Sequence, residues 1–279
     1  MLGASPLGLA TSGRAVVTAL NPCLDVYPTA IRAGFDPSRP LHENLGFLVD
    51  PAISIGSNGI NVTRMRVQNA RHMGVPTVLM PLIGRLSSGA LSVVNSAMVC
   101  ELAALGDVEP VLVGGENRVN YYTPDIELVR GTHHGLVLSG AEKADVLSSL
   151  GALLRSASVL YLDGVSPGNE DLYAPIQYMA KQSGVALVVD TRDDYLKTVL
   201  SNIDDHTGDR LTGLKLNLEE FCKLRGLSLR RVETLLSQGM VDEFENWLLP
   251  QAQKFAEQYM DQSLINISEP TRQDRISYS

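Results

Sequence analysis

Residues 54–74 read SIGSNGINVTRMRVQNARHMG, and the rest of the chain is organised around them. An extended segment from Pro51 to Ile55 leads into Gly56, and Gly56 and Gly59 bracket Ser57 and Asn58. Glycine lets a ligand approach the main chain closely and adopts backbone conformations that other residues avoid. From Ile60 the spacing predicts a helix, with Val62, Met65, Ala70 and Met73 near one face and Arg64, Arg66, Gln68 and Arg71 mostly off it. Gly74, ahead of Val75-Pro76, is its stop signal. A glycine-bearing turn that opens a helix points backbone N–H groups and the positive end of the helix dipole at whatever lies above it. That suits an anion or a polyhydroxylated ligand. The same residues also read as a plain glycine-rich connection before an ordinary helix.

Toward the N-terminus, Ala15 to Leu20 (AVVTAL) is a continuous apolar run rich in β-branched residues, the pattern of a strand buried on both faces. It ends at the turn signal Asn21-Pro22, and Asp25 follows at once. A carboxylate just past the carboxyl end of a buried strand lies where open α/β sheets bind ligands, and an aspartate there also caps turns through its own backbone. Residues 26–53 are polar and broken by Pro28, Pro37, Pro40 and Pro51, with short strand candidates at Val26, Tyr27, Phe47 and Val49. They read as an excursion from the main sheet.

Toward the C-terminus, Thr77 to Leu82 is the next strand, with Gly84 and Gly89 in the loop behind it. A helix over 91–105 and a strand at Val111 to Val113 follow. In the extended piece Arg118 to Tyr122 (RVNYY), Arg118 and Asn120 alternate and so share one face. An arginine there either clamps a phosphate in a fork or faces solvent on an edge strand. From Glu142 the pattern is regular: a helical stripe at Val146, Leu147, Leu150, Leu153 and Leu154, a strand at Val159 to Leu162, and the turn GVSPG at Gly164 to Gly168. A helix marked by Leu172, Ile176, Met179 and Ala180 and a strand ALVVD at Ala186 to Asp190 continue it. Alternating β and α elements predict a mostly parallel sheet with helices on both faces. In LKLNLEE (Leu214 to Glu220) a strand ends at Lys215 and Asn217 caps a helix with Glu219 and Glu220 in its first turn. Asn217 and Glu220, three apart, serve either as a helix start or as organisers of a Mg²⁺–water cluster beside phosphates. Over 241–260, Phe244, Trp247, Leu248, Phe255 and Tyr259 form a core-facing stripe that Pro250 kinks or divides.

The 279 residues suffice for one large α/β domain, and 44% hydrophobic and 19% charged residues are ordinary for a globular protein. A net charge of −8 argues against nucleic acid or an anionic membrane surface as the main partner. The three cysteines are too scattered for a disulfide framework or a zinc site, which suits a cytoplasmic location. No apolar run approaches the roughly 18 residues of a membrane helix.

Taken in order, TALNPCLD (Thr18 to Asp25), GSNGINVTR (Gly56 to Arg64), ENRVNYY (Glu116 to Tyr122), YLDGVSPG (Tyr161 to Gly168), VVDTRDDYLK (Val188 to Lys197) and LKLNLEE (Leu214 to Glu220) resemble one family. It is that of the PfkB, or ribokinase-like, carbohydrate kinases, and the resemblance runs from Ala15 to Leu224. The N-P-x-x-D opening and the R-x-N element look most like 1-phosphofructokinase and tagatose-6-phosphate kinase. The resemblance implies a ribokinase-like α/β fold over residues 1–262, with a small β lid built from about 26–53 and 116–124. It implies ATP and Mg²⁺ as cofactors, a sugar or sugar phosphate as acceptor, and a homodimer through the lid. Asp25 would bond the sugar hydroxyls, with Gly56, Gly59 and Asn61 as the sugar-side wall. Arg118 would hold a phosphate already on the sugar. Lys215, Asn217 and Glu220 would lie by the nucleotide phosphates, with Glu220 reaching Mg²⁺ through water.

The chain also departs from the family. Where a glycine-glycine-lysine-glycine is usual it has Gly56-Ser57-Asn58-Gly59, without the cation, and Lys215-Leu216-Asn217 replaces lysine-proline-asparagine. No G-A-G-D, the late element whose aspartate deprotonates the acceptor hydroxyl beside an anion hole, follows Glu220. Residues 263–279, SLINISEPTRQDRISYS, lack apolar periodicity and read as an unstructured, non-native tail. The expectation is therefore the N-terminal two-thirds of a carbohydrate kinase, without the catalytic base and inactive on its own. The alternative is a sugar-binding or regulatory pseudokinase.

Overall fold

The computed structural model describes residues 13–37, 39, 41–57, 60–64, 75–122, 128–130, 135–206, 210–260 and 265–268. The β-branched run near the N-terminus forms β1 (Arg14–Ala19), followed by β2 (Cys23–Tyr27) and the short β3 (Ala30–Ile31). Helix α1 (Leu41–Asn44), β4 (Leu48–Val49) and β5 (Ala52–Gly56) come next, and residues 60–64 are helical (α2). Then come β6 (Thr77–Arg85), α3 (Val93–Ala103), β7 (Val111–Gly114), β8 (Arg118–Tyr122) and β9 (Leu128–Arg130). The regular part comprises α4 (Gly140–Leu154), β10 (Ala157–Asp163), α5 (Tyr173–Gln182), β11 (Ala186–Asp190), α6 (Asp193–His206) and β12 (Gly213–Asn217). It closes with α7 (Leu218–Arg225), α8 (Leu229–Ser237), α9 (Val241–Tyr259) and β13 (Ile265–Ser268).

The main sheet is parallel, in the order β13-β12-β11-β10-β1-β6-β7. Its central strands are buried on both faces, as their unbroken apolar runs require. Val16 and Leu20 join one core cluster, while the intervening Val17 and Ala19 join another; in β6, Val78, Met80 and Leu82 divide from Leu79 and Ile83 in the same way. The first cluster takes in α4 (Val146, Leu150), α5 (Ile176), α6 (Val199) and α9 (Leu248, Phe255). The second takes in Ile60, α3 (Val94, Met98, Leu102) and residues of a smaller sheet, Leu24, Val26, Ile55, Val119 and Tyr121.

That smaller sheet has the order β5-β2-β8-β9, and β3 and β4 pair beside it. Both of its central strands enter from the carboxyl edge of the main sheet, β2 directly after β1 and β8 directly after β7. It therefore begins earlier than position 26, at Cys23, and Asp25 lies within β2, not in a turn.

Local chemistry sets the helix ends. Ser139 and Glu142 form a reciprocal capping box at α4, as Asn217 and Glu220 do at α7, which ends at Gly226 in the left-handed region (φ 63). Pro250 is accommodated inside an unbroken α9, whose Phe255 meets Phe221 edge-on at 5.8 Å.

Two readings need correction. Gly84 is not in a loop but inside β6, where an added Cβ would meet the Gly115 carbonyl oxygen at 2.3 Å. Only glycine admits so close a crossing of the chain on its way into β8. The tail is not wholly unstructured either: residues 265–268 extend the sheet, with Leu214 to Asn217 paired to Ile265 to Ser268. Ile265 and Ile267 alternate with Asn266 and Ser268, a local two-residue period that the tail as a whole lacks, and the backbone groups of this segment complete the pairing. Residues 269–279 and the expected helix beyond residue 64 lie outside the described residues.

The crossing from β7 to β8 is fastened by Asn117, which is 1% exposed. Its Oδ1 accepts from Gly84 N–H (2.9 Å), its Nδ2 donates to the Leu82 carbonyl (3.0 Å), and its own N–H donates to Asn95 Oδ1 (3.2 Å). Asn117→Ala strands a buried donor and acceptor and should lower stability by about 2–3 kcal/mol, measured as a shift in the urea unfolding midpoint. A loss below about 0.5 kcal/mol, the range of ordinary surface substitutions, would show that the crossing is held by something else.

Candidate functional site

The side chains at issue line up because of strand register. β2 pairs antiparallel with β5 and parallel with β8. Gly56, Cys23 and Arg118 therefore stand in one row, and Ser54, Asp25 and Asn120 in the next. Successive rows on one face are about 6.6 Å apart. One row farther out the rings of Tyr27 and Tyr122 stack, centroids 4.6 Å apart and nearly parallel. This face is opposite the one that carries Leu24 and Val26 into the core.

Asp25 is its centre. Its Oδ1 accepts a hydrogen bond from Asn120 Nδ2 (2.7 Å) and one from the Cys23 thiol (3.3 Å). Its Oδ2 lies against Gly56, where an added Cβ would sit 2.1 Å from it. Burial pushes the Asp25 carboxyl above its ordinary value, while the donors from Asn120 and Cys23 and the charges of Arg118 and Arg64 oppose that rise. Burial, with the neighbouring carboxylate, pushes the Cys23 thiol up to about 12 and the Tyr122 phenol likewise to about 12. An ionised carboxylate only accepts hydrogen bonds, so this row suits a ligand that offers hydroxyl hydrogens.

Around it, Arg118 lies half-buried with its Nε buried and lacking a hydrogen-bond partner among the described residues. A guanidinium with an unpaired donor beside a carboxylate has the chemistry to take an anionic group. On α2, Arg64 is turned back onto β5, donating to the Ile55 carbonyl (2.8 Å), to Ser54 Oγ (3.2 Å) and to Asn61 Oδ1 (3.4 Å). Ser57 Oγ accepts the N–H of Ile60 at 3.1 Å, so the serine that replaces the usual glycine caps the helix. Gly59 lies outside the described residues.

A second group stands farther along the same carboxyl edge. Asp163 and Asp190, the last residues of β10 and β11, are in register with Lys215, which lies within β12; that strand runs on to Asn217 and does not end at Lys215 as the sequence suggested. Lys215 Nζ lies 2.7 Å from Asp190 Oδ2, which also accepts from the Tyr161 hydroxyl. Burial and the Asp190 charge raise the Tyr161 phenol far above its ordinary value, so it stays a donor. Asn217 and Glu220 exchange the two bonds of their capping box, Asn217 Oδ1 with Glu220 N–H at 2.8 Å and Glu220 Oε2 with Asn217 N–H at 2.9 Å. Those two oxygens serve the helix start. A single carboxylate there also fits Mg²⁺, which takes one or two carboxylates together with water and substrate phosphates. Among the described residues no three His, Cys, Asp or Glu side chains gather as a metal cluster. β1, which leads into the strand carrying Asp25, and β12 are three strand spacings apart, about 14 Å.

The structure adds contacts that sequence reasoning did not name: Asn120 and Cys23 are partners of the Asp25 carboxylate, and Asp190 and Tyr161 are drawn together with Lys215. The alternation of Arg118 and Asn120 marked a shared face; what that face meets depends on which strand β8 joins.

Two outcomes follow. Iodoacetamide at pH 7.5 should alkylate the exposed Cys100 quickly and leave Cys23 and Cys222 unmodified until the chain unfolds, since both thiols are buried and raised above their ordinary value. Rapid labelling of Cys23, read by peptide mass spectrometry, would contradict the packing described. Gly56→Ala should destabilise by about 1–3 kcal/mol because the new methyl drives into Asp25. Combining it with Asp25→Ala should recover much of that loss; strictly additive effects would mean the two residues do not touch.

No protein-family model matches the sequence, and no curated protein matches it. Solved structures do. Phosphofructokinase-2 from Escherichia coli in complex with fructose-6-phosphate aligns with a TM-score of 0.56 at 19% identity, covering 78% of this chain and 65% of that one. The chain thus spans less than two thirds of that neighbour's length. The tetrameric inhibited form of the same enzyme aligns with a TM-score of 0.57 at 18% identity, covering 81% of this chain and 71% of that one. Ribokinase from Giardia lamblia aligns with a TM-score of 0.58 at 17% identity, covering 93% of this chain and 75% of that one. With the parallel sheet, the smaller sheet over its carboxyl edge and the strand order already described, these likenesses show that the chain has the ribokinase-like α/β fold of the PfkB carbohydrate kinases.

Proposed function

We propose that this chain is the acceptor-binding part of a carbohydrate kinase, whose parent reaction moves the γ-phosphoryl group of ATP to a hydroxyl of a sugar or sugar phosphate. The observation that carries the reading is the Asp25 carboxylate presented beside Gly56, with the orphaned Nε of Arg118 one row away. Asp25 accepts the acceptor's hydroxyl hydrogens, Gly56, Gly59 and Asn61 wall the sugar, and Arg118 pairs with a phosphate already on it. Lys215, Asn217 and Glu220 would face the nucleotide phosphates, and Glu220 would hold Mg²⁺ through water. The smaller sheet acts as the lid and as a homodimer face, and the location is cytoplasmic. Among the described residues no helix is long and apolar enough to cross a membrane.

Phosphoryl transfer requires positioning and charge neutralisation, and the bound metal supplies part of the latter. The residues here orient the acceptor and, by covering it with the smaller sheet, keep water from competing for the phosphoryl group. No G-A-G-D follows Glu220, so the group that takes the acceptor's proton is missing from these residues, and the 279-residue polypeptide by itself does not turn over. A sugar-binding or regulatory pseudokinase is the second reading, favoured by Ser57, whose hydroxyl is committed to capping α2 where the family has a glycine.

Calorimetry on the 279-residue chain with D-fructose 6-phosphate and with D-ribose tests the assignment. Asp25→Asn should weaken binding of either compound roughly tenfold to a hundredfold, the range of hydrogen bonds to a charged group. Arg118→Met should weaken only the phosphorylated one. No binding of either compound by the unaltered chain would refute the acceptor site, and ATP-dependent phosphorylation by this polypeptide would refute its inactivity.

A further inference from the structure

The contacts of Asp25 point to a role for two residues that no comparison assigns. Asp25 and Asn120 are register partners on β2 and β8, and Cys23 precedes Asp25 by two residues on the same strand face. Asn120 Nδ2 lies 2.7 Å from Asp25 Oδ1 and 3.2 Å from Cys23 Sγ, and Cys23 Sγ lies 3.3 Å from the same Oδ1. The three side chains close a triangle in which both donors converge on one oxygen of the carboxylate. Asn120 is 5% exposed and Cys23 2%, so neither is a surface group that happens to lie nearby. The other oxygen faces Gly56.

We infer that Asn120 and Cys23 are positioning residues that fix the Asp25 carboxylate edge-on, tying down Oδ1 so that Oδ2 alone meets the acceptor at the Gly56 edge. The inference rests on the reading of this face as the acceptor site. A carboxylate rotates easily about its last bond unless one oxygen is held, and a side chain held in one geometry loses less freedom when a ligand binds. Two donors on Oδ1 also favour the ionised form, which the burial of Asp25 opposes. A protonated Asp25 would no longer accept from a sugar hydroxyl at its protonated oxygen. Binding is therefore present above the Asp25 midpoint and lost as the pH falls through it. The groups that face Asp25 are Cys23 on β2, Arg118 and Tyr122 on β8, and Arg64 on α2; from β5 come only Ser54 and Gly56.

Two readouts test this on the 279-residue chain. The titration midpoint of the Asp25 side-chain carboxyl is followed by carbon-13 NMR in the free protein, assigned by loss of its signal in Asp25→Asn. Affinity for D-fructose 6-phosphate is measured by calorimetry from pH 5 to pH 8. Asn120→Leu, which keeps the shape and removes the donor, should move the midpoint upward and weaken binding at pH 7 roughly tenfold, the usual worth of a charge-assisted hydrogen bond. Cys23→Ala should move both in the same direction by less, and Cys23→Ser, which restores a donor, should return them to the unaltered values. A midpoint that stays put in Asn120→Leu and Cys23→Ala overturns the proposal, even where the melting temperature falls, because a purely structural role predicts that pattern. If Asn120→Leu does not fold, the Cys23→Ala and Cys23→Ser pair decides. If the unaltered chain binds neither D-fructose 6-phosphate nor D-ribose, the acceptor-site reading fails and with it the role toward an acceptor. The NMR midpoint then still decides whether these residues hold the carboxylate.

Discussion

The parallel pairing of β2 with β8 is the constraint on which the site depends. It joins two segments about a hundred residues apart, each leaving the carboxyl edge of the main sheet, one after β1 and the other after β7. Because side chains alternate along a strand, this register alone puts Cys23, Asp25 and Tyr27 on the same face as Arg118, Asn120 and Tyr122. A slip of one residue in β8 would bring Val119 or Tyr121, and not Asn120, to the face that carries Asp25. The buried Asn117, bonded to Gly84, Leu82 and Asn95, fixes where β8 starts and so guards that register.

The electrostatics of the face follow from how much of it is dry. Removing a carboxylate from water disfavours its charge, and here that cost is opposed by donors placed on one oxygen and by two guanidinium groups. The thiol beside it is pushed the other way from a nucleophile: at about 12 it remains S–H, a weak donor and not a reactive sulfur. The same logic recurs at the far end of the edge, where Asp190 is shared by the Lys215 ammonium and the Tyr161 hydroxyl. Each carboxylate is thereby held in place by the donors around it.

Glycine and serine on either side of the β5–α2 join illustrate how one short segment is divided between structure and chemistry. Gly56 is small because Asp25 Oδ2 occupies the space a methyl would need. Ser57 is polar because the first N–H groups of the helix need an acceptor, and its hydroxyl serves Ile60. Arg64, which the helical spacing set off the apolar face, folds back to tie the helix to β5 through Ile55 and Ser54. At the β12 edge the main sheet gains β13, a short segment in which Ile265 and Ile267 alternate with Asn266 and Ser268 and whose backbone N–H and C=O groups pair with β12.

By itself the sequence determined the alternation of strands and helices, and with it a parallel sheet, because buried strands and amphipathic helices write their periods directly into the order of apolar residues. It also determined the helix start at Asn217, whose capping partner Glu220 is three residues on. It marked Asp25, Gly56 and Arg118 as chemistry-bearing by residue type and place. Tertiary structure alone decided that Asn120 and Cys23 hold Asp25, that Asp190 and Tyr161 meet Lys215, that Gly84 lies within a strand, and that residues 265–268 join the sheet. Those contacts depend on which distant strands lie side by side and in what register, and local sequence patterns do not specify that pairing.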